Sequence, residues 1–337
     1  MEELLPFEEV KREIIIRKEA TTNTNNGCYP ENRPVETLLN FGVINLNKPS
    51  GPTSHQVADY VKKMLNLDKV GHGGTLDPGI NGVLPIALGK GTRVVQSLLP
   101  AGKEYVCVMH LHKDIPEEKI KETAKKFIGK ITQLPPVRSA VKRQLRQRDI
   151  YYFSLLEING QDVLFKLGCQ GGTYVRKICH DFGLAVGTNA HMAELVRTKA
   201  GPFNYHNWVT LHDLKDAYDT WKETKDDSLL RKAIMPIEMA VNHLPKIWIF
   251  DNAIDTLCHG AKLSVPGIVK FESGINVEEL VAIMTLKNEL VCLGIAKLDS
   301  ETIKSAQKGI AVSNTKVFME PSTYPKFKKE DINEKNI

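Results

Sequence analysis

The chain has 337 residues, 42% of them hydrophobic, 25% charged and 7% aromatic, which excludes the disordered, fibrous and repeat classes and suits a globular protein. At this length two domains, or a large one with a small companion, are expected. The 45 basic and 40 acidic side chains leave a net +5, by itself a weak argument for a polyanionic partner.

Residues 1–33 mix charges with the polar tract Thr21–Gly27 and show no sustained period, so they read as an extension or linker. Phe41–Leu46 reads as a strand closed by the turn Lys48-Pro49-Ser50-Gly51-Pro52. Thr53 or Ser54 can then cap a helix whose apolar stripe is Val57, Tyr60, Val61, Met64 and Leu65. Gly71–Gly91 holds seven glycines, too many for a helix or a central strand, and predicts a loop whose backbone can approach a ligand closely. A short helix is expected over Thr92–Leu99.

Lys103–His112 alternates Tyr105, Cys107, Met109 and Leu111 on one face with Val106, Val108, His110 and His112 on the other, a strand. Pro116–Lys130 predicts an amphipathic helix on Ile120, Ala124, Phe127 and Ile128, ended by Leu134-Pro135-Pro136. Five cations and no acid follow, Arg138, Lys142, Arg143, Arg146 and Arg148. That stretch is either a solvated face or a phosphate-contacting element.

Tyr151–Ile158 and Val163–Gly168 flank Asn159-Gly160, a hairpin signal, and a helix starts near Thr173 on Val175, Ile178 and Phe182. Asp213–Val241 is helical in pattern. After Leu244-Pro245 come short strands at Lys246–Phe250, Ala261–Val265, Leu280–Leu286 and Leu290–Ala296. The fold class is therefore α+β with a mixed or antiparallel sheet, followed by a small β-rich domain. Lys326–Ile337 reads as a loose tail.

No apolar run approaches the ~18 residues of a spanning helix. Met1-Glu2-Glu3 is followed by no apolar secretory region, so the cytoplasm is expected. Cys28, Cys107, Cys169, Cys179, Cys258 and Cys292 form no C-x-x-C pair and read as buried free thiols. Phosphate-loop, zinc-hydrolase and serine-hydrolase motifs are missing, and the histidines, the His110/His112 pair included, show no ligand spacing. No metal or cofactor is expected. What remains is Gly71–Pro85, where Asp77-Pro78-Gly79 is a turn signal and Asp77 equally a carboxylate exposed to a large ligand.

That fifteen-residue loop resembles the catalytic motif of the pseudouridine synthases that include bacterial TruB and eukaryotic dyskerin. Four further blocks stand in family order: Gly42–Pro49, Lys103-Glu104-Tyr105, Gly172–Arg176 and Ala193–Phe203. Lys246–Pro325 resembles the PUA RNA-binding domain, most clearly over His259–Ile268. In all the resemblance spans residues 8–325. It implies an extension over 1–33, a catalytic domain over 34–245, a PUA domain over 246–325 against which the extension packs, and a tail over 326–337.

The resemblance also implies roles. Asp77 takes the place of the essential aspartate, Tyr105 of the aromatic that stacks on the flipped base, Tyr174 of a second active-site tyrosine, Arg176 of the cation paired with the aspartate, and Leu195 of an apolar pocket wall. His72 stands where bacterial relatives use a histidine in base flipping, or is a plain turn residue. Gly260 and Lys262 are RNA-binding positions of the PUA domain, which holds the guide's ACA end, and Arg138–Arg148 faces the RNA backbone. The Arg33-Pro34-Val35-Glu36 extension and the absence of a long lysine-rich tail fit the archaeal branch, which works in H/ACA ribonucleoproteins. Its implied partners are a guide RNA, ribosomal and transfer RNA substrates, a zinc-ribbon protein, a relative of the glycine-arginine-rich protein and a kink-turn binder. Guide-independent action on the TΨC loop of transfer RNA and a non-catalytic RNA scaffold remain the alternatives.

Overall fold

The computed structural model describes residues 3–135 and 144–326. The helix Ser54–Met64 starts where the sequence carries its own signal: Thr53 Oγ1 accepts from the Gln56 N–H at 3.1 Å, and Gln56 Oε1 accepts from the Thr53 N–H at 2.8 Å. Two donors that every helix start leaves open are thereby closed. Val57, Val61 and Leu65 are buried while Tyr60 is 42% exposed. The apolar stripe is narrower than the periodicity implies, because Tyr60 stands at its margin.

Gly71–Gly91 is not one loop. Its centre, Asn81–Leu88, is a strand buried from Gly82 onward and flanked by strands on both sides. The reason is where the glycines fall: Val83–Leu88 has none, and Gly82 adopts φ +113° where a Cβ would stand 2.3 Å from the Arg197 carbonyl. Here the missing side chain lets a neighbouring strand approach and does not break the sheet.

The sheet carrying this strand runs in the order Gly42–Lys48, Asn81–Leu88, Ala190–Ala200, Lys103–Leu111, Asp162–Cys169, Arg146–Asn159, Gly129–Gln133. Asn81–Leu88 lies parallel to Ala190–Ala200 at Asn81 and Gly82, and the pairings beyond are antiparallel. The mixed-sheet α+β reading holds. Asn159 pairs with Asp162 across Gly160, whose φ is +58°, as the hairpin signal requires. Glu117–Lys126 is shorter than expected, and Gly129–Gln133 continues as a strand, with Ile128 47% exposed. Phe153 stacks on Phe165 and Phe182 at centroid distances of 4.5 and 5.6 Å, joining the sheet to Val175–Val186.

Residue contacts divide the chain into two units. Unit 1 is Met1–Glu9, Ile44–Ala87 and Val95–Ala233; unit 2 is Val10–Val43, Leu88–Val94 and Ile234–Ile337. Unit 2 holds a sheet in the order Ile14–Ile16, Ile268–Glu272, Lys246–Ile249, Leu280–Met284, Leu290–Ala296, Ile310–Val317, Leu263–Ser264. Ile268–Glu272 and Ile310–Val317 were not anticipated from the sequence, nor was the helix Asp251–Cys258.

Of the extension read over residues 1–33, the part from Val10 onward is tied into unit 2, while the residues up to Glu9 go with unit 1. Ile14, Ile15 and Ile16 pair with Glu272, Phe271 and Lys270. Lys287, 2% exposed, donates to the Thr24 and Asn26 carbonyls, and Glu289, 4% exposed, accepts from the Cys28 N–H at 2.9 Å. Arg33 meets Glu238 through two hydrogen bonds of 2.8 and 2.7 Å. The segment lacks periodicity because distant side chains, reading its backbone, hold it. Of the tail read over 326–337, residues 327–337 lie outside the described residues.

Among the described residues no helix is long and apolar enough to cross a membrane. The six cysteines are free and all but Cys28 are buried.

Candidate active site

Asp77 opens a turn closed by the Ile80 N–H on its carbonyl at 3.0 Å. Its neighbours are fixed from several directions. Leu76 donates to Ser54 Oγ at 2.8 Å and accepts from it at 3.0 Å. The Pro78 carbonyl accepts from the Gly51 N–H at 2.8 Å and from Lys48 Nζ at 3.0 Å. Lys48 also reaches the Pro49 and Ile80 carbonyls, each at 2.8 Å. Leu76 and Ile80 sink into the core at 4% and 8% exposure, while the Asp77 side chain stays 55% exposed. A rigid loop thus presents one carboxylate outward. Arg176, in the first turn of Val175–Val186, meets it directly in a salt bridge.

Beneath the loop lies a cation that sequence reading overlooked. Arg197, 1% exposed, donates from Nε to the Val83 carbonyl at 2.7 Å and from its two terminal nitrogens to Gly74 at 3.0 Å and Thr75 at 3.4 Å. Burial pushes its pKa down, and the adjacent Tyr105 hydroxyl opposes that shift. Tyr105, opposite Arg197 in strand register, is 8% exposed, and burial holds its pKa up, so the phenol stays protonated.

Lys103 is buried as well, donating to the Leu98 and Ala101 carbonyls at 2.9 and 2.7 Å. Burial, with Arg197 nearby, pushes its amine down to about 7. Lys48 is lowered in the same sense by burial and then by Arg197. All three basic groups are therefore satisfied by backbone carbonyls, and two of them, Lys48 and Arg197, pin the loop through Gly74, Thr75, Pro78, Ile80 and Val83. All three sit inside the quoted blocks; the available signal was a charge placed within an apolar strand run.

His72 lies on the short strand Val70–His72, half-buried, with Nδ1 lacking a partner among the described residues. Burial, then Arg197 and His55, lower its pKa, leaving the imidazole neutral at pH 7. Leu195 is partly buried against the core of unit 1, opposite Cys107. Tyr174 stands at the N-cap of Val175–Val186, its backbone held by Gln133.

Of the basic stretch, Arg138, Lys142 and Arg143 lie outside the described residues. Arg146 and Arg148 open the strand Arg146–Asn159, opposite Gln133 and Ile131, and the Arg148 guanidinium lies against Gly172, 3.2 Å from where a Cβ would stand. Gly260, at φ +91°, and Lys262 are exposed in unit 2 just past the helix Asp251–Cys258.

The His110/His112 pair gains polar neighbours from elsewhere in the chain. The sheet brings His191 to His112 at 2.9 Å and Asp162 to His110 at 2.7 Å. No group of His, Cys, Asp or Glu suited to hold a metal occurs among the described residues.

Residues 62–175 match the family model of the TruB family pseudouridylate synthase N-terminal domain, and 176–242 that of the tRNA pseudouridylate synthase B C-terminal domain. Residues 245–318 match the PUA domain and 3–58 the DKCLD (NUC011) domain. The chain is 55% identical over 322 residues to a probable tRNA pseudouridine synthase B of Methanopyrus kandleri, covering 96% of this chain and 95% of that one. It is 56% identical over 325 residues to one of Pyrococcus abyssi, covering 96% and 97%. Among solved structures, a chain of a Cbf5-Nop10-Gar1 complex superposes with a TM-score of 0.92 at 56% identity over 96% of this chain and 99% of that one. A chain of an H/ACA RNP bound to a substrate RNA containing 2′-deoxyuridine gives 0.90 at 54%, with the same coverage.

Proposed function

The chain belongs to the TruB family of pseudouridylate synthases, and from that premise we propose that it is the catalytic subunit of an H/ACA ribonucleoprotein, converting uridines of ribosomal RNA that a guide RNA selects. The reaction is an isomerisation: the N1–C1′ bond breaks, the base turns, C5 joins C1′, and the C5 proton is lost as N1 gains one. Electrons balance within the nucleoside, so a carboxylate suffices.

The observation that carries the assignment is the salt bridge between Asp77 and Arg176 at the rim of a loop pinned by buried cations. Attack by Asp77 at C1′ and removal of the C2′ proton both need the anion, which a guanidinium favours and orients. A paired uridine cannot reach that carboxylate, so the nucleotide must be extruded. Tyr105 then offers its ring to the base, a contact worth about 1–3 kcal/mol, with Tyr174 and Leu195 walling the pocket. His72, neutral and half-buried, supports the flipped state as an acceptor or donor without charge.

The domain division goes with this reading: 1–33 as the extension, 34–245 as the catalytic domain, 246–325 as the PUA domain and 326–337 as the tail. Gly260 and Lys262 hold the guide's ACA end, and Arg138–Arg148 the RNA backbone, since guide pairing carries the sequence information. The companions are a zinc-ribbon protein of the Nop10 kind, a Gar1-like protein and a kink-turn binder; the likeness to the Cbf5-Nop10-Gar1 structure supports the first two. Free thiols suit the cytoplasm.

The names of the Methanopyrus and Pyrococcus relatives favour a second reading, stand-alone modification of transfer RNA. Tritium release from 5-tritiated uridine separates the two. The protein alone is given transfer RNA, and the protein with guide and partners is given a ribosomal target. Release only in the second arm upholds the guided subunit. Release from transfer RNA by the protein alone makes it self-sufficient, and silence in both, with Asp77→Asn binding RNA equally well, makes it a scaffold.

A further inference from the structure

Gln133, the last residue of Gly129–Gln133, belongs to none of the quoted blocks. It is 3% exposed, its Nε2 donates to the Tyr174 carbonyl at 3.1 Å, and its Oε1 accepts from the Tyr174 N–H at 3.0 Å. One side chain thus makes with residue 174 the double exchange that a neighbouring strand makes with its partner. A buried amide is tolerated only when its donor and acceptor are both used, and here a single backbone residue uses both.

What is held is the start of the helix bearing Arg176. Tyr174 has no side-chain cap of its own, and its carbonyl also receives the Lys177 and Ile178 N–H groups at 3.0 and 3.1 Å. The preceding turn is tied to the same strand pair, with the Gln170 N–H on the Asp149 carbonyl at 2.9 Å. Gln133 also stands in register opposite Arg146.

We infer that Gln133 is a positioning residue for the isomerisation: by fixing the Tyr174 backbone it sets both the Tyr174 side chain and the helix start from which Arg176 meets Asp77. The inference rests on the assignment of Asp77 and Arg176 above. Leucine at 133 loses both bonds. Glutamate, of the same shape, keeps the acceptor and loses the donor, facing the Tyr174 carbonyl with a second oxygen.

The test uses the full chain with its RNA and partners, comparing Gln133→Leu, Gln133→Glu and Asp77→Asn for single-turnover rate at saturating RNA, RNA affinity and thermal midpoint. Displacing catalytic groups by about 1 Å costs on the order of 100-fold. Gln133→Leu is expected to slow the bound reaction by about 10–100-fold, with affinity within about twofold of wild type. Gln133→Glu, which disturbs packing least, is expected to fall between the two. A merely structural glutamine would lower the midpoint and leave the bound-state rate alone, which overturns the inference, as does a rate loss that saturating RNA restores. If Asp77→Asn is silent while both Gln133 variants turn over normally, the inference alone fails. If Asp77→Asn is active, the site assignment fails first.

Discussion

Lys103→Met removes one buried charge while keeping the length of the side chain, and its consequence can be worked from the structure. The amine lies near 7 in the folded chain against an ordinary 10.5. At about 1.36 kcal/mol per unit, the difference of about 3.5 units corresponds to about 5 kcal/mol. The sign is the reverse of the familiar ion-pair case. Below pH 7 the lysine is charged both folded and unfolded, and its desolvation weighs fully against the fold. Between about 7 and 10.5 the unfolded chain holds a proton that the folded chain has released, so stability rises with pH. The neutral amine still donates to the Leu98 and Ala101 carbonyls. Methionine donates to neither, at a pH-independent cost of about 1–3 kcal/mol per carbonyl.

Urea unfolding of both proteins from pH 6 to pH 10.5, with unchanged m-values, gives the difference curve. Lys48, lowered like Lys103, and buried thiols such as Cys258, raised to about 12, titrate in both proteins and cancel. Wild type should gain on the variant by about 4–5 kcal/mol across this range. A difference flat to within about 1 kcal/mol would mean that burial beside Arg197 leaves the Lys103 amine unperturbed, and the account of the cationic floor would be wrong.

Arg176→Lys keeps the charge but loses the planar fork, and should slow single turnover by about tenfold or more with little change in RNA affinity; a normal rate would remove the guanidinium geometry from the chemistry. Arg146→Ala with Arg148→Ala should weaken RNA binding uniformly across sequences and flatten the salt dependence by about one to two phosphates' worth of slope, read by filter binding between low and moderate salt. In unit 2, Arg33→Met strands Glu238, whose carboxylate also accepts from the Leu290 N–H at 2.8 Å. Loss of one partner of a buried pair should lower stability by about 3–5 kcal/mol, and limited proteolysis should show earlier cleavage within residues 18–34. Restored stability in Arg33→Met with Glu238→Leu would confirm that the stranded charge is the cause.

What the residues determined alone is whatever their neighbours within a turn or a hairpin decide. Thr53 and Gln56 close a helix start between themselves, Gly160 turns a hairpin, and Tyr105, Cys107, Met109 and Leu111 share one face because a strand alternates. The loop carrying Asp77 and the helix start carrying Arg176 were readable for the same reason, as short runs whose order matches a known pattern. The contact between them, 99 positions apart, is a product of the fold. So are the buried cations: a lysine or arginine in a strand reads as solvent-facing until carbonyls from elsewhere converge on it, as Val83, Gly74 and Thr75 do on Arg197. Gln133 carries no local signal, since its partner is 41 positions away. The strand Ile14–Ile16, too short to show a period, exists because Ile268–Glu272 offers it an edge. Local pattern reports which side of an element is apolar; only the closed tertiary structure decides which backbone groups and charges meet behind it, because desolvation is imposed by what packs around a group and not by the residues beside it in sequence.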